Sequence, residues 1–315
     1  MAVPQTFSAG AVVVQDTLLA SPVGMAGLVS EEIDLGNVVR TTKAAGSVYE
    51  RAAAVVSRSP TASFGTNQVK SLLGLTGGLG RCILNDATHP GVDLYLNKDA
   101  CNGFDLTDSQ RYRIGDGFLA PTSLSVSHRE DAQMTAGVTA ISVGGNEPIQ
   151  VDPSIAFPTG LADTERFGLY QQTVGGINLE GCNSMQIDFG VSVRTESADG
   201  AVFPEFITVD DVVTRVTLGG INPRWLADSG IPIGGRKMTH ADTTLRLVRY
   251  VTNEADAYMT LTAAEHITFT LHGIGTITST SASDGGSAAT CSLMLYAIHD
   301  GTNVPMIIDT AAALA

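Results

Sequence analysis

Ile33–Thr41 reads IDLGNVVRT, and Ile187–Thr195 reads IDFGVSVRT. The likeness runs on without a gap from Ile33–Val55 onto Ile187–Val209, at an offset of 187 − 33 = 154, with ten of the 23 positions identical. Further matches keep the same order. HPGVDLYLNK (His89–Lys98) lies over HADTTLRLVR (His240–Arg249) at an offset of 240 − 89 = 151. AISVGGNEPIQVD (Ala140–Asp152) lies over AIHDGTNVPMIID (Ala297–Asp309) at 297 − 140 = 157, and Gln15 and Thr17 pair more faintly with Gln171 and Thr173 at 171 − 15 = 156. Offsets that drift by a few residues in constant order are what a tandem duplication with small loop insertions leaves behind. The chain therefore divides into two like domains, 1–155 (with an N-terminal arm over 1–30) and 156–315.

Within the motif, Ile187, Phe189, Val191 and Val193 alternate with Asp188, Gly190, Ser192 and Arg194. Period-two alternation predicts a half-buried strand. A turn follows, marked by Asp199-Gly200, a pair suited to the positive φ of tight hairpins. The return strand is expected over Val202–Val209, with Pro204 at an edge or strand end because it has no N–H to give. Each unit thus opens with a long β-hairpin. A short helix is predicted near Thr66–Leu73, with Thr66 or Asn67 as cap and Gly74 as stop, and another near Asn222–Asp228, with Pro223 in its first turn. Strands are expected at Val92–Leu96, Leu124–Ser127 and Ala136–Ser142, and at Thr244–Val251, Ile267–Leu271 and Cys291–His299. The predicted class is mainly β: two tandem β-sandwich or partial-barrel domains, each with a long hairpin and one short helix.

Composition narrows the function. Hydrophobic residues make up 43%, enough for real cores, and charged residues only 16%. The net charge of −14 argues against a protein that grips nucleic acid by its phosphates. The plain reading of this charge is solubility; it also fits a surface that lets nucleic acid pass without holding it. Cys82, Cys101, Cys182 and Cys291 form no CxxC and have no counterparts at matched positions, so free thiols are expected. The first residues lack a signal peptide's basic and apolar regions, no apolar run of about 18 residues occurs, and a cytoplasmic origin is expected.

Catalytic patterns are missing. Asp228-Ser229-Gly230 evokes one half of a two-lobed aspartic protease, which needs a paired carboxylate from each lobe. The matching stretch Leu73–Gly77 holds no Asp. The glycine cluster GLTGGLG (Gly74–Gly80) is followed by no Lys-Ser/Thr, so it reads as a loop, not a phosphate cradle. His89 and His240 match between units, and one histidine per unit fits a structural hydrogen bond better than a metal site. No enzyme, metal or cofactor is expected. The matched charges Asp34, Arg40, Asp188 and Arg194 are different. Within one strand Asp and Arg would stand about 20 Å apart, so each needs a partner elsewhere, either across the hairpin or on an adjacent unit. Together with the matched aromatics Tyr49 and Phe203 they are the candidate assembly residues.

PTSLSVSHREDAQMTAGVTAISVGGNEPIQV (Pro121–Val151), read whole beside the long hairpin and short helix, resembles the tail tube proteins of long-tailed bacteriophages. The resemblance covers most of both units and is less clear over Met1–Ser30. It implies β-sandwich domains whose hairpins join neighbours, six domains to a ring, and rings stacked into a tube through which DNA leaves the capsid. With two domains per chain, it implies a homotrimeric ring of pseudo-sixfold symmetry, part of the virion tail and assembled in the bacterial cytoplasm. The partners implied are other copies of the chain, the tape-measure, tail-terminator and baseplate proteins, and DNA in transit. Two other readings compete: a baseplate hub or distal ring protein, and a two-domain β adhesin or carbohydrate-binding protein. The latter calls for exposed aromatic platforms, whereas the single Trp225 falls in a predicted helix.

Overall fold

The computed structural model describes residues 7–43, 45, 49–50, 52–100, 103–142, 144–198, 200–230, 243–251, 258–281 and 290–314. The fold is mainly β. Eight strands build a central sheet: β1 (Leu28–Asp34), β2 (Thr61–Thr66), β3 (Asp116–Ser127), β4 (Gln133–Ile141), β5 (Ser184–Asp188), β6 (Arg215–Ile221), β7 (Gly273–Ser281) and β8 (Thr290–Ala297). Their order across the sheet is β7-β8-β6-β5-β3-β4-β2-β1, with the short strand Arg81–Ile83 paired beside the start of β3. Every neighbouring pair is antiparallel.

Each half of the central sheet has its own outer sheet. The first runs in the order Ile149–Ile155, Gly103–Ile114, Gly91–Ala100, Phe7–Gln15, Val23–Ala26. The second runs Met306–Ala312, His266–Leu271, Thr243–Arg249, Thr173–Val174, Ile177–Asn178, and Phe167–Leu169 also pairs with Thr243–Arg249. Strand alternation explains the packing. Met134, Ala136, Val138 and Ala140 of β4 point inward, as do Cys291, Leu293, Leu295 and Ala297 of β8, while the residues between them stay partly exposed. One apolar cluster runs through both units, from Phe64 and Leu94 to Phe269 and Leu295. No sheet closes into a barrel among the described residues, so the sandwich half of the expected class is the one observed.

The element order of the first half recurs in the second, down to irregularities. β3 slips register between Pro121 and Ser123, and β7 between Ile277 and Ser279. The last outer strand of each half slips likewise, at Asp152/Ile155 and against His266/Thr268. Gly117 and Gly273 sit at matched points where a Cβ would run into the carbonyl of the facing strand, Thr139 in one case and Tyr296 in the other. The faint Gln15/Thr17 match is not reproduced, because Thr173 lies opposite Thr244 where Val13 lies opposite Asp93. The offset there is 173 − 13 = 160, not 156.

Several expectations need correction. Residues 1–30 are not simply an arm: Phe7–Gln15 is an interior strand of the first outer sheet. Helix α1 spans Val69–Thr76, starts at Gln68 without a side-chain cap bond, and stops at Gly77 in the left-handed region. Gly74 lies inside it. Thr66 contributes instead by accepting the Gln68 N–H at 3.1 Å. Helix α2 spans Pro223–Asp228, and its Asn222 cap accepts from the Arg224 and Trp225 N–H groups. The return strand of the second hairpin is Phe206–Val212, and Pro204 precedes it. Cys82, Cys182 and Cys291 are free thiols, while Cys101, Asp199 and His240 lie outside the described residues.

Candidate assembly interface

The repeated nine residues are a corner, not one strand. Ile-Asp ends the central strand, β1 or β5, and Val-Arg-Thr belongs to a projecting hairpin. The first arm pairs Asn37–Thr42 with Ala52–Arg58, and the second pairs Val191–Glu196 with Phe206–Val212. Between strand and arm, Asp34 Oδ1 accepts the Gly36 N–H at 2.8 Å and Asp188 Oδ1 accepts the Gly190 N–H at 3.1 Å. Both glycines have positive φ, 57° and 58°. A Cβ on Gly36 would strike the Ser59 carbonyl, and one on Gly190 the Val213 carbonyl. Aspartate makes the turn and glycine permits the close approach, which is the physical reason for Asp-x-Gly in both copies.

Of the two partners expected for these charges, across the hairpin or on an adjacent unit, Arg194 finds the first. Arg194 pairs inside its own arm, with Glu196 and Asp210, both at 3.5 Å and well exposed. Such pairs contribute about 1 kcal/mol or less. Arg40 stands on the first arm, exposed, with no ion pair among the described residues. Phe203 lies 5.7 Å beneath the Arg58 guanidinium, and Tyr49, near the tip of the first arm, is 82% exposed.

The two units meet where β5 pairs with β3. Ser123 faces Asp188, Leu124 faces Ile187, Ser125 faces Gln186 and Val126 faces Met185. Leu124, Val126, Met185 and Ile187 are buried by this pairing and the sandwich behind it. The Phe189 N–H to Thr122 carbonyl bond (3.1 Å) and the His128 N–H to Asn183 carbonyl bond (2.7 Å) extend the seam at its two ends. Around it, Lys70 of α1 pairs with Glu265 at 2.9 Å, and Ser71 donates to Glu165 at 2.6 Å. The second arm reaches back over the first unit. Its Val202 carbonyl accepts from the Arg58 N–H and its Pro204 carbonyl from the Ser142 N–H, both at 2.8 Å. Arg58, lying over the Phe203 ring, is itself bound to Glu147 at 3.0 Å.

The outer ends of the central sheet remain open. Among the described residues, β1 pairs only with β2 and β7 only with β8. β1 occupies in its unit the place of β5, and β7 the place of β3. The open edges are thus the two halves of the seam already made in the middle. The first arm, which springs from open β1, has every residue of its first strand exposed, including Val38 and Val39. The second arm, beside the seam, is half covered. On its side away from the outer sheets the central sheet presents polar groups such as Glu32, Asp34, Thr135, Gln186 and Asp188, with Arg215 lying over Tyr296.

One residue on β1 stands out electrostatically. Both carboxylate oxygens of Glu31 are buried with no hydrogen-bond partner among the described residues, and burial pushes its pKa up to about 7. Its counterpart beside the closed seam, Met185, is apolar and 1% exposed. His89 does form the structural bond expected of it, to Asp86 at 2.8 Å. No group of three or more His, Cys, Asp or Glu among the described residues is placed to hold a metal, and no described helix is long and apolar enough to cross a membrane.

Sequence reasoning missed Arg58, Glu147, Lys70 and Glu265. The signal was present: at the offsets of 154 and 157, Arg58 and Glu147 fall on Val212 and Val304, so both charges vanish together in the second copy. Compared with models of known protein families the chain matches none, and a search of curated proteins gives no match.

Proposed function

We propose that this chain is a structural subunit that closes head to tail into rings, the rings stacking into the tail tube of a long-tailed bacteriophage. One observation carries the reading: the central sheet holds two like-oriented halves joined by a heterologous seam and ends in the same two edges unpaired. An open antiparallel edge is a template for a further strand, and a head-to-tail contact repeats until it closes or runs on as a filament. Six sandwich units around an axis need three chains. Closure turns the polar, mostly uncharged or acidic face of the central sheet into a wall, and a chain of net charge −14 gives passing DNA little to bind.

Negative-stain microscopy with mass measurement of the purified chain tests this. Rings or tubes of uniform width with a central channel and three chains per ring are expected. Compact monomers at high concentration, or rings of six chains, sink the proposal.

A further inference from the structure

We infer that β7 of one chain pairs with β1 of a second copy in the register that β3 and β5 use within the chain, and that the second copy's first arm lands on Val212 and Val304. This rests on the ring reading above and goes on to name its interface.

The register follows from the matched irregularities. Aligning the slips of β3 and β7 gives an offset of 279 − 123 = 156, and β1 maps onto β5 at 154. Ser123 opposite Asp188, Leu124 opposite Ile187 and Ser125 opposite Gln186 then become Ser279 opposite Asp34, Thr280 opposite Ile33 and Ser281 opposite Glu32 of the copy. The pair Ser125–Gln186 faces solvent while Leu124–Ile187 faces the core, so Ser281–Glu32 falls on the open face.

The surroundings of the seam carry over with complementary chemistry. Within the chain, Phe203 rests on the Arg58–Glu147 ion pair. At the matched places the second unit has Val212 and Val304, and the residue matched to Phe203 is Tyr49. Losing one member of an ion pair alone leaves an uncompensated charge at a contact. Here both are replaced by valine, Val304 is 50% exposed, and the aromatic that would cover it is 82% exposed. The flanking pair keeps its sign: Lys70–Glu265 maps onto Arg224 and Asp108 (offsets 154 and 157). Ile308 packs partly buried against the core, and its counterpart Val151 is 50% exposed. Each of these sites lies on the side of its unit that the seam dictates. Arg224, Val212 and Val304 belong to the unit offering β7, and Asp108, Val151 and Tyr49 to the unit offering β1. One placement of a second copy brings all of them together.

Paired cysteines test the register. Residues directly opposite on antiparallel strands have Cβ atoms about 4.5–5.5 Å apart, close to disulfide reach. Under mild oxidation the double variant Glu32→Cys/Ser281→Cys should give covalent multimers ending at three chains. Each single variant, and the pair Glu32→Cys/Thr280→Cys, one residue out of register, should give none. Independently, Tyr49→Glu should raise the concentration for half-assembly at least tenfold while Tyr258→Glu leaves it unchanged, with circular dichroism unaltered in both. If wild-type rings form and the Glu32/Ser281 pair cross-links no better than its control, or Tyr49→Glu assembles normally, this interface is wrong while the ring reading stands. If the wild-type chain forms no rings, the ring reading itself falls.

Discussion

Glu31 offers the sharpest test of the electrostatics. It sits on β1 opposite Phe64, on the core-facing side, where its counterpart in the second unit is Met185. Around it, Gln110 donates to the Tyr112 hydroxyl at 2.9 Å, and the Tyr112 phenol is pushed up first by burial and then by the Glu31 charge. In the unfolded chain the Glu31 carboxyl ionises near 4.5, in the folded chain near 7. Stability therefore falls as pH climbs from about 4.5 to about 7 and is level above that, because only the folded state resists ionisation there. A shift of that size corresponds to about 3 kcal/mol, drawn toward 2 by the water that still reaches a part-buried group. Glu31→Met should recover this at ~pH 8 and nothing like it at ~pH 4, where the wild-type carboxyl is protonated in both states. Urea denaturation of dilute, unassembled protein measures both gaps. Equal gaps at the two pH values, or no gain at the higher one, would refute the assignment of a buried, unpartnered carboxylate.

The corner glycines make a second prediction. Gly36→Ala and Gly190→Ala should each destabilise by about 2 kcal/mol or more, through positive φ and collision with a carbonyl, and thermal unfolding showing less than about 0.5 kcal/mol for either would contradict the close approach. Ring parity makes a third. Arg224→Glu and Asp108→Arg should each weaken self-association about fivefold per joint, the scale of a reversed surface pair. Combined in one chain they should restore wild-type rings. Mixed as separate chains they can satisfy each other only in alternation, which a ring of three forbids, so native mass measurement finding normal mixed trimers would count against the joint or the number.

How much of this was legible beforehand depended on which interactions leave a local trace. The duplication did, because Ile33–Val55 and Ile187–Val209 align without a gap, and the arms keep even the same slip, Val38/Val39 and Ser192/Val193. The start of the second helix did, because Pro223 marks a first helical turn by itself. The corner at Gly36 did not: alternation counts inward and outward positions and is blind to a positive φ that redirects the chain without breaking the pattern. The start of α1 was misplaced because no side chain caps it, and its stop because the left-handed turn comes three residues after Gly74, at Gly77. Arg58 and Glu147 stood 89 residues apart and were legible only by comparing each with its partner in the other half. Asp34 and Asp188 were conspicuous for being repeated, and what their repetition preserved was a turn; of the repeated arginines, only Arg194 makes an ion pair among the described residues.

The seam between β3 and β5 has a kinetic consequence. Because its two sides are tethered, it forms at an effective concentration set by the intervening chain, not by how much protein is present. Every other joint of the same kind must wait for an encounter. Dilution then separates chains but never the two units within one, and a population of lone chains is already half assembled. Control over when growth begins is left wholly to the edges β1 and β7, where a capping partner or a changed solvent has to act on only one kind of contact.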